Sequence, residues 1–141
     1  MGRSRAALLI VADTSAIVAI AFGENERALF LGAIERADKT LISSVTVVES
    51  KMVVHARRGP RAVRFVDDLF QLPTFGIVPP GFLELDAAYS AFATFGKGSG
   101  HPAALNFGDV FSYALAKVRG LPLLYKGDDF GRTDITNAVR P

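Results

Sequence analysis

The stretch Leu8-Leu9-Ile10-Val11-Ala12-Asp13-Thr14-Ser15-Ala16 constrains this chain more than any other. Five apolar residues end abruptly in a carboxylate and two hydroxyls, and residues 14–22 then continue as an almost wholly apolar segment closed by Gly23. A short apolar run without polar alternation is a strand covered on both faces, as in a parallel sheet. The segment after it reads as a buried helix. Ligands of open α/β sheets gather outside the carboxyl ends of the strands, so the pattern carries Asp13 to the rim where chemistry takes place. Three later acidic positions, Glu49, Asp109 and either Asp128 or Asp129, each fall where a strand ends or a helix begins. The expectation is that they converge with Asp13 to hold a divalent metal ion.

The remaining elements follow the same alternation. Helical periodicity is expected over residues 24–37, with Ala28, Leu29, Leu31, Ile34 and Ala37 inward, and a strand over 40–43. Thr46 and Glu49 have the spacing of a capping box, opening a helix that runs to Arg58 before Gly59-Pro60 stops it. Its candidate core residues are Val47, Val48, Met52, Val53 and Ala56. Glu49 therefore has two readings, a cap for its own helix or an acid facing Asp13. Helices over 60–72 (Val63, Phe65, Val66, Leu69 and Phe70 inward) and 84–95 (Leu85, Ala88, Tyr89 and Phe92 inward) flank a strand at 73–78. A helix opened by Asn106-Phe107-Gly108-Asp109 ends at Arg119 with Gly120 in the C′ position, and a last strand spans 121–125. Such alternation predicts an α/β fold, a three-layer α/β/α sandwich on a central parallel sheet. The 141 residues are expected to form one domain, with residues 1–7 expected as a flexible extension. Right-handed crossovers bring every strand's carboxyl end to one edge.

Composition removes several alternatives. With no cysteine there is no disulfide framework, thiolate ligation or cysteine nucleophile, which fits a reducing, cytoplasmic setting. Two histidines, His55 and His101, are too few for a histidine-rich metal site, and His55 reads as a solvated helix residue. No G-x-S-x-G elbow occurs, and no apolar run reaches the ~18 residues of a membrane span. Arg3 and Arg5 ahead of an apolar patch imitate a short signal sequence, but Asp13 interrupts it. The net charge of +2 is mild, yet Arg57, Arg58, Arg61 and Arg64 are clustered; the cluster is either a solvated helix end or a contact for an anionic partner. Residues 96–102 hold three glycines and Lys97, and read as a mobile or substrate-contacting loop. Their Gly-Lys-Gly-Ser lacks the full phosphate-loop pattern.

Gathered carboxylates repel one another unless a cation compensates. Oxygen-only ligands select hard ions, Mg²⁺ or Mn²⁺, and the work natural to such a site is phosphodiester hydrolysis. Thr14 and Ser15 either add hydroxyls around the ion or cap the following helix; capping is the expected role.

With these residues in place, the chain resembles a PIN-domain ribonuclease of the VapC toxin type. The resemblance rests on Val11-Ala12-Asp13-Thr14-Ser15-Ala16, Ser43 through Glu49, Asn106-Phe107-Gly108-Asp109, and Leu123 through Phe130, in that order across residues 8–135. It implies a Mg²⁺- or Mn²⁺-dependent endoribonuclease, a homodimer, and a cognate VapB-like antitoxin that covers the acids. By position, Asp13 and Asp109 resemble the metal ligands, and Glu49 the acid that orients or activates the attacking water. Asp129, directly before Phe130, matches the family pattern better than Asp128. Arg57, Arg58, Arg61 and Lys97 are the expected RNA contacts. Two other classes fit the residues less well. A receiver or haloacid-dehalogenase phosphoryl-transfer domain lacks its required acids here, since Thr14-Ser15 follows Asp13 where a D-x-D pair belongs. A catalytically silent PIN-like binding module would not require all four acidic positions to be filled.

Overall fold

The computed structural model describes residues 6–139, so Arg3, Arg5 and most of the expected N-terminal extension lie outside the described residues. In chain order the elements are β1 (Leu9–Ala12), α1 (Thr14–Ala21), α2 (Arg27–Arg36), β2 (Lys39–Ser43), α3 (Ser44–Arg58), α4 (Pro60–Phe70), β3 (Phe75–Val78), α5 (Phe82–Phe95), α6 (Phe107–Arg119) and β4 (Leu123–Leu124), with a 3₁₀ turn at Phe130–Arg132. The four strands are all parallel, in the order β3-β2-β1-β4. β1 is therefore central, which is why Ile10, Val11 and Ala12 are all buried.

Successive strand residues point to opposite faces, and the sheet divides two cores accordingly. Ile10, Ala12, Ile42 and Leu124 pack beneath α1 to α4, with Ile17, Ile20, Phe30 and Val66. Val11, Leu41 and Leu123 pack beneath α5 and α6, with Ala91, Tyr113 and Leu115. The result is the expected sandwich, and the carboxyl ends of β1, β2 and β4 share one edge.

Several helix faces differ from the sequence expectation. α2 begins at Arg27 rather than residue 24, and Phe30, Ala33, Ile34 and Ala37 are buried while Ala28 and Leu29 face solvent. The large ring of Phe30, 2% exposed, fixes the rotation of the helix. In α3 the buried face is Thr46, Ser50 and Val54, whereas Val48, Met52 and Ala56 are exposed. α3 is flanked by α1, α4 and α6, and small hydroxyl residues let these neighbours approach. Their polar atoms are satisfied in place: Ser50 donates to the Thr46 carbonyl at 2.7 Å, and the Thr46 and Ser112 hydroxyls pair across α3 and α6 at 3.2 Å. α5 similarly buries Ala88 and Ala91 and leaves Leu85, Tyr89 and Phe92 outside. Phe65 of α4 is also partly exposed, with the Arg27 guanidinium over its ring. The expected capping box on α3 is absent, because Ser43 caps the helix by accepting from the Val45 N–H. That leaves Glu49 free for other work. The α6 boundaries are as expected, with Asn106 as cap and Gly120 in the left-handed conformation at φ 64°.

Candidate active site

Asp13 follows β1 directly, and its N–H still donates to the Leu124 carbonyl at 3.0 Å, extending the pairing with β4. It is also the N-cap of α1, with extended backbone angles. Its Oδ2 accepts from the Ser15 N–H at 3.0 Å and from the Ser15 hydroxyl at 2.7 Å. The side chain is 2% exposed, and its other oxygen, Oδ1, is buried with no hydrogen-bond partner among the described residues. A buried carboxylate oxygen left in that state is costly unless something else binds it.

The two hydroxyls after Asp13 do not cap α1, contrary to expectation; the carboxylate itself has taken that place. The Ser15 hydroxyl donates to Asp13 and accepts from the Lys126 N–H at 2.9 Å, so one oxygen ties the end of β1 to the loop after β4. The Lys126 ammonium spans from that loop to Glu24 and Glu26 at 3.2 and 3.4 Å. The Thr14 hydroxyl donates to Oε1 of Glu49, which draws the first turn of α1 toward α3.

Glu49 and Asp109 reach the same rim from α3 and α6. The Thr46–Ser112 pair lies one turn before Glu49 on α3 and one turn after Asp109 on α6, and holds the two helices in register. Burial raises the Glu49 carboxyl above its ordinary range, the Thr14 hydroxyl partly offsets this, and the Asp13 charge raises it further. Asp109 is held in a reciprocal capping box: its N–H donates to Asn106 Oδ1 at 2.9 Å, and its Oδ2 accepts from the Asn106 N–H at 3.0 Å. Burial pushes its carboxyl up to about 7; the Asn106 N–H opposes the shift, and the charges of Asp13, Glu49 and Asp129 add to it. Asp129, at the start of the 3₁₀ turn, thus stands within Coulomb range of Asp109, whereas the charge of Asp128 acts on Tyr125.

The basic candidates lie elsewhere. Arg57 and Arg58 sit at the far end of α3 with both guanidinium groups over the Phe22 ring, about 12 Å along the helix from Glu49. Arg61 is exposed on α4, and Lys97 is exposed in the loop after α5. His55 is solvated on α3, as expected.

The donor set suits a hard cation. Every side chain at the rim offers oxygen, and the unpartnered Asp13 Oδ1 is an oxygen awaiting a ligand. Among the described residues no three acidic or histidine side chains are grouped tightly enough to enclose an ion unaided. Magnesium does not require it, since it keeps several waters and takes one or two carboxylates. The sequence reading missed Asn106, Gly108, Ser112 and Lys126 as site residues. A small or hydroxyl residue one turn from each acid (Thr46 before Glu49, Ser112 after Asp109) was the available signal.

The model of the PIN domain family matches residues 10–135. Ribonuclease VapC28 of Mycobacterium tuberculosis is 42% identical over 130 residues, covering 92% of this chain and 98% of that protein. Ribonuclease VapC42 of the same organism is 43% identical over 132 residues, with the same coverage. Among solved structures, the Mycobacterium tuberculosis VapC20 toxin, described as cleaving the sarcin-ricin loop, superposes with a TM-score of 0.76 at 16% identity, over 94% of this chain and 99% of that one. VapBC2 of Rickettsia felis, bound to a promoter DNA fragment, gives 0.71 at 14% identity, over 92% and 96%. With four acids on one rim of a four-stranded parallel sheet and relatives of this identity along nearly its whole length, the chain belongs to the PIN-domain family, among the VapC ribonucleases.

Proposed function

We propose that this chain is a metal-dependent endoribonuclease, the toxin of a VapBC-type pair. The observation that carries the reading is Asp13, a buried carboxylate with one oxygen unpartnered, whose charge acts on Glu49 and Asp109, with the Asp129 charge also acting on Asp109. Asp13 and Asp109 would hold Mg²⁺ or Mn²⁺, which lowers the pKa of a bound water and balances charge on a phosphodiester. Glu49, desolvated but still ionisable, accepts the proton of the attacking water. Thr14 fixes one of its oxygens and so its direction. Asp129 is the fourth acid. Lys97, exposed in the loop after α5, is assigned to RNA contact, and Arg57, Arg58 and Arg61 meet only a strand long enough to reach the far end of α3.

Two apolar surfaces fit the proposed protein partners. Val45, Val48, Met52 and Phe107 line an open groove of about 820 Å³ that borders Glu49 itself. A VapB-like antitoxin seated there covers the acids, and its complexes with VapC-type chains are what some structural neighbours contain. The stripe of Leu85, Tyr89 and Phe92 beside Phe111 is assigned to a second copy of the chain. Cytoplasmic action fits both the cysteine-free composition and RNA as substrate, and no helix among the described residues is long and apolar enough to cross a membrane.

The test is cleavage of single-stranded RNA with Mg²⁺, Mn²⁺ or chelator. Cleavage is expected only with metal, and Asp13→Asn is expected to abolish it while the protein remains folded. Undiminished cleavage by folded Asp13→Asn protein would overturn the assignment.

A further inference from the structure

Beside the Glu49 carboxylate stands a residue with no side chain. Gly108, buried in the first turn of α6, lies so near Glu49 that a Cβ built on it would stand 1.8 Å from Oε2 and 2.3 Å from Cδ of that carboxylate. No other heavy atom lies nearer to that Cβ position. The backbone there is ordinary α-helix, and alanine is a better helix former than glycine. Local conformation therefore gives no reason for glycine at this position; the space beside it does. On its opposite flank the carboxylate is held by the Thr14 hydroxyl, so it is confined between a hydroxyl and a bare stretch of backbone.

We propose that Gly108 is the positioning residue for Glu49: the side chain it lacks is the space the Glu49 carboxylate occupies, next to Asp109 on the same helical turn. The proposal rests on the nuclease reading only in its kinetic consequence. A methyl group at residue 108 must displace the end of a flexible side chain, which is structurally cheap, but the displaced carboxylate no longer faces the rim. The fold survives and the orientation does not.

Five proteins test this: the parent, Gly108→Ala, Glu49→Asp, the double variant, and Glu49→Gln as the control for the role of Glu49. In Gly108→Ala, kcat for a short single-stranded RNA is expected to fall about 100-fold, the range of a misplaced general base, with KM within about twofold. Its melting temperature in chelator is expected to equal or exceed the parent's. In Glu49→Asp the shortened carboxylate has already withdrawn from the space, so adding Gly108→Ala should cost almost nothing more. The ¹³C resonance of the Glu49 carboxyl, assigned by its loss in Glu49→Gln, should move in Gly108→Ala as the Thr14 hydrogen bond is lost. Parent-like kcat, a multiplicative double variant, or an unmoved Glu49 resonance would overturn the proposal. If Glu49→Gln cleaves RNA normally, the catalytic assignment of Glu49 falls, and the resonance alone decides the positioning.

Discussion

Asp109→Asn isolates the electrostatic cost of gathering acids on the rim. The Asp109 carboxyl is raised to about 7 from an ordinary value of 3.8, first by burial and then by the charges of Asp13, Glu49 and Asp129. The folded protein therefore binds a proton more tightly at this position than the unfolded chain does. The corresponding stability is complete below pH ~4 and is lost progressively as the pH rises to ~7, above which it stays lost. At ~1.4 kcal/mol per unit the full shift corresponds to about 4 kcal/mol. The group is only partly buried, and solvent screening reduces this to about 1–2 kcal/mol.

Asparagine keeps the shape and an acceptor for the Asn106 N–H but carries no charge. Asp109→Asn should therefore melt about 3–7 °C above the parent at pH 8 in chelator, given the unfolding entropy of a domain this size. At pH 5 the parent's Asp109 is already mostly protonated, so the gain should shrink to about a third. Divalent metal should narrow the gap at pH 8 by stabilising the parent more than the variant. Scanning calorimetry at the two pH values, with and without Mg²⁺, measures all of this. A gain of equal size at both pH values, or none at pH 8, would show that Asp109 is not held at the cost of its charge.

Two further outcomes follow from single contacts. Ser15→Ala removes the hydroxyl shared by Asp13 and the Lys126 N–H; a loss of about 1–2 kcal/mol in denaturant melts is expected, together with weaker RNA cleavage, and a neutral effect on both would show that this bridge is idle. Tyr89→Asp places a charge in the exposed stripe of α5; with the stripe proposed to seat a second copy, the parent is expected to sediment as a dimer and Tyr89→Asp as a monomer with the parent's circular dichroism, and identical sedimentation of the two proteins would remove that assignment.

What the sequence could convey depended on the scale of the interaction. Strand burial on both faces is written into the run Ile10 to Ala12, although the strand starts at Leu9 and Leu8 is exposed; helix ends are written into Asn106, Gly120 and Gly59-Pro60, because backbone geometry selects those residues locally. The rim was legible for the same reason at Asp13, which follows β1, and at Asp109, in the first turn of α6; Glu49 stands in the second turn of α3, past the positions that strand ends and helix starts mark. Helix rotation was not legible. In α3 the apolar residues Val48, Met52 and Ala56 are exposed while Thr46 and Ser50 are buried, because close packing against α1, α4 and α6 favours small side chains over apolar ones. The same inversion occurs in α5, where alanines pack and Leu85, Tyr89 and Phe92 do not. Periodicity locates an apolar stripe, but a helix with two apolar stripes does not say which one the fold uses and which a partner uses. The hydroxyls of Thr14 and Ser15 were likewise ambiguous, since capping and bridging use the same residue types.

The rim has one construction repeated on three elements. Asp13 gives Oδ2 to Ser15, Glu49 gives Oε1 to the Thr14 hydroxyl, and Asp109 gives Oδ2 to the Asn106 N–H. Each anchor uses a single oxygen and comes from a neighbouring residue or from the adjoining helix. Directional bonds of this kind hold the carboxylates in place without neutralising them: burial first, and the neighbouring carboxylate charges after it, raise the Asp109 and Glu49 carboxyls, and Oδ1 of Asp13 stays buried with no hydrogen-bond partner among the described residues. On the proposed metal-dependent reading, a site arranged in this way would be oriented before a cation arrives, and the cation would offset part of the cost of keeping these carboxyls buried and charged. That coupling predicts opposite effects for two kinds of substitution. Neutralising an acid should raise metal-free stability and weaken metal binding, whereas removing an anchor such as Ser15 should weaken both.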